Sequence, residues 1–138
     1  MSAYKADLSL RLHHPHQQLQ RVAQILGLKP SQFWTRGDTR HTPKGDPLEG
    51  TRDESYCSVP LKISSISNLA EALSEGVRRI TPAKEVLKDI VESGGSASIA
   101  VGWFCKGDVG ARLPQELLAE MANLKVTLDL YVYLSDES

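Results

Sequence analysis

Two segments written in strict alternation, one near each end of the chain, constrain the fold more than any other feature. Near the start, Tyr4, Ala6, Leu8, Leu10 and Leu12 interleave with Lys5, Asp7, Ser9 and Arg11. Near the end, Val126, Leu128, Leu130, Val132 and Leu134 interleave with Lys125, Thr127, Asp129, Tyr131 and Tyr133. A period of two sends successive side chains to opposite faces of a strand, so each segment predicts one buried face and one open face. Both ends then belong to one sheet. The 138 residues close as a single domain, long enough to bury a real core.

Between these strands the pattern changes. Leu19, Val22, Ala23 and Leu26 recur at helical spacing over residues 15–26, with Pro15 suited to the first helical position and Gly27 to a left-handed stop. Residues 29–55 carry no periodicity and many turn formers, among them Pro30, Gly37, Asp38, Pro43, Gly45, Pro47 and Gly50. They predict a long loop. Cys57, Val59, Leu61 and Ile63 alternate again. Pro60 cannot donate to a ladder, so this strand, or at least its Pro60 side, is expected at a sheet edge.

Asn68 and Glu71 suit a capping pair for a helix bearing Leu69, Leu73, Val77 and Ile80. Thr81-Pro82 separates it from a second helix with Val86, Leu87, Ile90 and Val91, closed by Gly94-Gly95. An apolar strand over 97–104, a loop over 105–112 and a short helix from Pro114 complete the order. Helices between half-buried strands predict an α+β domain over residues 1–138, a mainly antiparallel four-stranded sheet with helices on one face. A ferredoxin-like variant is the arrangement expected.

Sixteen basic against seventeen acidic side chains give a formal charge of -1. That balance does not favour phosphate-backbone binding, so no nucleic-acid partner is expected. The amino terminus has no continuous apolar signal region and no run approaches the ~18 apolar residues of a membrane span. Cys57 and Cys105 are too few for a disulfide framework and are expected as buried free thiols. A cytoplasmic location is expected.

The run Gly27-Leu28-Lys29-Pro30-Ser31, followed by Trp34, Arg36, Gly37 and Asp38, together with the ending Leu128-Asp129-Leu130-Tyr131, resembles the mainly bacterial domain-of-unknown-function family numbered 4279. Members similarly pass from a strand through a helix and a Gly-x-x-Pro-Ser/Thr turn to a Gly-Asp loop, and end in a Leu-Asp-Leu-Tyr strand. Where many carry Trp in the second strand, this chain has Tyr56. The resemblance spans nearly the whole chain and implies a single domain. It transfers no catalytic residue.

His13, His14 and His16 cluster in sequence, with His41 elsewhere. A metal site needs nitrogens converging within about 2.0–2.1 Å of one ion. His13 and His14 are adjacent on a strand and point to opposite sides, so an exposed polar junction is expected, with no metal and no cofactor. Gly107-Asp108-Val109-Gly110 lacks phosphate-loop spacing and a basic side chain to reach a terminal phosphate. Asp7 and Asp129 stand on the polar faces of the terminal strands, and solvated positions are expected for both. On the same open face Ser9, Arg11, Thr127, Tyr131 and Tyr133 are expected as ordinary surface residues or a homodimer contact.

The better candidate is the 29–55 segment. Its first part, 29–44, holds Lys29, Arg36, Arg40 and Lys44 against Asp38 alone, while 45–55 holds Asp46, Glu49, Asp53 and Glu54 against Arg52 alone. One reading pairs the two halves with each other, Phe33 and Trp34 anchoring the loop. The sharper reading makes Trp34, Arg36, Asp38, Arg40 and His41 a recognition surface, since Trp and Arg dominate interface hot spots. With no catalytic constellation in view, the function expected is a non-catalytic protein-binding module of the regulatory or immunity type, its protein partner unidentified. The alternative is a small anionic-ligand-binding domain or enzyme with a cleft between this loop and the sheet, Arg36 and Arg40 holding the anion and His41 carrying a proton.

Overall fold

A computed structural model describes residues 4–63, 68–107 and 109–135. Both alternating ends do enter one sheet, but the first strand lies at its centre. Strand β1 (Tyr4–His14) pairs antiparallel with β5 (Ser55–Leu61) on one side and with β6 (Ser96–Lys106) on the other. Outside β5 runs the short β2 (Gln32–Trp34), also antiparallel, and outside β6 runs β7 (Val126–Ser135), which is parallel to it. The spatial order is β2-β5-β1-β6-β7. The sheet is therefore five-stranded and mixed, where four mainly antiparallel strands in a ferredoxin-like arrangement were expected. The α+β class and the single domain stand.

Part of the difference arises inside the expected loop. Residues 29–55 hold β2 and a separate hairpin of β3 (Thr39–His41) and β4 (Pro47–Thr51). These strands are short, exposed and crowded with turn formers, so no apolar face reveals them in the sequence. Ser31 fixes the entry to β2, its N–H and hydroxyl both donating to the Ser58 carbonyl at 2.8 and 3.2 Å. Pairing of β2 with β5 stops at Ser58. Pro60, two residues further, leaves that stretch of β5 at an edge, as its missing N–H requires.

The register stacks the core in rows. Leu10 faces Val59 and Ile99, Leu8 faces Leu61 and Val101, and Leu12 faces Cys57 and Ala97. Packed over this face are α1 (Gln20–Leu26), α2 (Leu69–Ile80), α3 (Lys84–Glu92) and α4 (Gln115–Asn123), and their apolar stripes join one cluster with the strands. The opposite face carries no helix among the described residues. Asn68 caps α2 by accepting the Glu71 N–H at 2.8 Å, and a 3-10 turn at Thr81–Ala83 links α2 to α3. Gly27 closes α1 at φ 66°.

Helix α1 starts at Gln20, five residues later than Pro15 suggested. The cause is His14. It continues the buried series of β1 and is fully buried, not part of an exposed junction. Its Nδ1 accepts the backbone N–H groups of His16 at 3.2 Å and Gln17 at 2.9 Å, which commits 15–18 to a turn. An accepting Nδ1 places the ring proton on Nε2, which donates to Ser93 Oγ at 2.9 Å. Ser93 Oγ donates in turn to the Asp89 carbonyl at 2.7 Å, at the end of α3. Burial, and secondarily the neighbouring His16, lowers the His14 pKa below its ordinary value, against weaker raising influences from Ser93 and Asp89.

Candidate functional site

The β2–β5–β1 register builds a row of side chains across the open face. Trp34 pairs with Tyr56, and Tyr56 with His13. Their rings touch in sequence: Trp34–Tyr56 centroids lie 4.9 Å apart and Tyr56–His13 centroids 4.7 Å apart. At the outer end the Arg52 guanidinium lies over the Trp34 ring, 3.7 Å from its centroid. At the inner end His13 Nδ1 donates to Glu54 Oε1 at 2.8 Å. Arg52, Trp34, Tyr56, His13 and Glu54 thus form one continuous strip.

Two backbone bonds hold Arg52 there. Its N–H donates to the Asp38 carbonyl and its own carbonyl accepts the Gly37 N–H, both at 2.9 Å. Asp38 closes the turn by accepting the Thr35 N–H on Oδ2 at 2.8 Å. The β3–β4 hairpin projects from this junction and is exposed almost throughout.

Open depressions flank the strip. One, of about 540 Å³, is lined by Pro15, Trp34, Arg40, Thr51, Arg52, Asp53 and Glu54. The other, of about 450 Å³, is lined by Phe33, Trp34, Asp38, Thr39, His41 and Arg52. Arg40 and His41, adjacent on β3, accordingly line different depressions, and Arg40 donates to the Glu49 carbonyl at 3.3 Å. Arg36 is exposed and its N–H donates to Ser55 Oγ at 3.1 Å. Trp34, Asp38, Arg40 and His41 therefore gather around the strip, while Arg36, Arg40 and His41 do not converge on one point.

Arg52, Tyr56, His13 and Glu54 were not among the recognition residues read from the sequence. Arg52 stands alone in an acidic run, and only its backbone bonds to Gly37 and Asp38 bring it to Trp34. The first depression sets Arg40 and Arg52 against Asp53 and Glu54, so its charge is balanced.

At the other side of the open face, Arg11 lies over Tyr131, 5.8 Å from the ring centroid, and Phe104 stacks on Tyr133 at 4.9 Å. Ser98, Ala100 and Gly102 on β6 leave room for these larger neighbours to lean inward. A Cβ on Gly102 would meet Phe104 and Tyr133 at 3.5 and 3.6 Å. Asp7 pairs with Gly102 and Asp129 with Ala100, so β6 and a two-residue offset separate the carboxylates.

Cys57 and Cys105 are buried and free. Burial pushes the Cys57 thiol up to about 11 and raises that of Cys105, so neither supplies a thiolate at neutral pH. No group of three or more His, Cys, Asp or Glu side chains suited to a metal ion occurs among the described residues. Asp108, in the glycine-rich segment, lies outside the described residues. No described helix is long and apolar enough to cross a membrane.

The model of a family described as a domain of unknown function, DUF4279, matches residues 2–135. The chain belongs to this family. Among curated proteins none matches it. In this DUF4279 domain four residues of the 27–38 run have structural work. Gly27 ends α1, Ser31 pins β2, Gly37 turns at φ 92° and Asp38 closes the turn. Lys29, Phe33 and Arg36 are its large exposed side chains, and Trp34 is half-buried beneath Arg52.

Proposed function

We propose that this domain is a non-catalytic protein-binding module of the regulatory or immunity type, and that its contact surface is the Trp34–Arg52 strip with the adjoining hairpin. The single observation carrying the reading is the guanidinium of Arg52 held at 3.7 Å over Trp34 beside Tyr56. Trp, Tyr and Arg are the side chains that dominate interface hot spots, offering large area with directional donors. Here backbone bonds preorganise them, so little side-chain freedom remains to be lost on binding. The balanced charge of the larger depression weakens the alternative of a small anionic ligand, which needs cations in excess.

The test is quantitative affinity capture from the source cell with wild type, Trp34→Ala and Arg52→Ala, each verified as folded by circular dichroism. The expected result is a partner retained by wild type and lost by both variants. Identical capture by all three sinks the reading. A thermal shift with anionic metabolites, abolished by Arg40→Ala, would replace it with the ligand-binding alternative.

A further inference from the structure

The two edges of the sheet are finished differently. On one side β2 is three residues long and stops before Pro60. On the other, β7 offers ten residues without proline and with one charged side chain, Asp129. No strand pairs its outer edge among the described residues. A long edge without proline, lysine or bulge is a template for another strand.

Among the described residues, the second half of β7 is only partly covered on either face. Helix α4 has nine residues and spans about 13 Å, against about 33 Å for the ten residues of the strand. Cover therefore runs out along the strand. Val126 is 8% exposed, Leu130 43%, Val132 49% and Leu134 71%. On the opposite face Tyr131 and Tyr133 are 46% and 51% exposed. Five large, partly exposed side chains therefore flank this edge, and a strand laid along it would cover their flanks together with the row of edge N–H and C=O groups.

We propose that β7 is a self-association edge, at which a second copy pairs antiparallel about a two-fold axis through Tyr131 and joins two five-stranded sheets into one. With the axis through a residue, facing residues share a sheet face. Leu130 then meets Val132 of the second copy, and Leu128 meets Leu134, so every apolar side chain on the helix side from Leu128 onward finds an apolar counterpart. Asp129 meets Tyr133 of the second copy rather than another Asp129, which avoids a like-charge pair. A formal net charge of -1 adds little repulsion. The Trp34 strip lies at the far edge, so this pairing stands or falls independently of the proposed function.

Sedimentation velocity of the full chain across the micromolar range tests the proposal. The expected result is a concentration-dependent species of twice the 15.2 kDa chain mass. Val132→Lys, at an exposed position, keeps the circular dichroism spectrum and weakens association at least about tenfold. Tyr131→Cys, on the axis, gives a disulfide-linked pair under mild oxidation, whereas Leu48→Cys on the hairpin does not. Three results would each overturn the proposal: a wild-type monomer throughout, a dimer that Val132→Lys leaves intact, or a dimeric Tyr131→Cys chain that stays uncrosslinked.

Discussion

His14→Leu replaces a buried ring by an apolar side chain and removes three hydrogen bonds. Two backbone N–H groups, of His16 and Gln17, lose their acceptor, and Ser93 Oγ loses the donor that orients it. At about 1 kcal/mol net per bond the loss approaches 3 kcal/mol; water reaching the junction recovers part, leaving about 2–3 kcal/mol at pH 7.5. The pH dependence isolates the residue. The folded pKa is the lower one, so as pH falls the unfolded chain takes up the proton first. The stabilisation is full above about pH 6.5 and declines below it, by at most about 1.4 kcal/mol per unit, until the folded pKa is reached. Urea denaturation at pH 7.5, 6.5 and 5.5 should therefore show wild type and His14→Leu converging as pH falls. Parallel lines, or equal stability at pH 7.5, would refute the assignment of His14 as a neutral buried acceptor.

Gly95→Ala should destabilise by about 2 kcal/mol or more, since a Cβ there would lie 2.5 Å from the His13 carbonyl oxygen and 2.8 Å from the His14 ring; thermal melting checks this, and an unchanged midpoint contradicts the packing. Arg52→Ala should change stability by less than about 1 kcal/mol, because it removes one partly exposed cation–π contact and leaves the backbone bonds; chemical denaturation checks this. Native Cys57 and Cys105 should react with a thiol reagent at pH 7.5 only at the rate of unfolding, in keeping with their burial; rapid labelling of the folded chain would show that the core is more open than described.

The sequence was most legible where one face is buried. That Leu8, Leu10 and Leu12 share the buried face follows from alternation alone, and the Asn68 cap and the Gly27 stop from local chemistry. Strand order was not legible, because pairing of β1 with β6 joins segments far apart in the chain and alternation does not name a partner. His14 belonged to the buried series, but Pro15 and two neighbouring histidines made the junction read as polar. Within residues 29–55, Trp34 was visible by its type among cations. Arg52 was not, nor was Tyr56 just beyond, since three-residue strands carry no periodicity; the register of β2 on β5 brings Tyr56 to Trp34, and backbone bonds to Gly37 and Asp38 bring Arg52.

The earliest strand of this domain to be synthesised becomes its middle one. Leu8 waits for Leu61, and Tyr4 for Cys105. Until those segments emerge from the ribosome, an eleven-residue ribbon has both flanks vacant. Such distant closures slow folding and expose the nascent chain to misjoining. Lys5, Asp7 and Arg11, spaced along its wet side, are charges of the kind that oppose premature stacking.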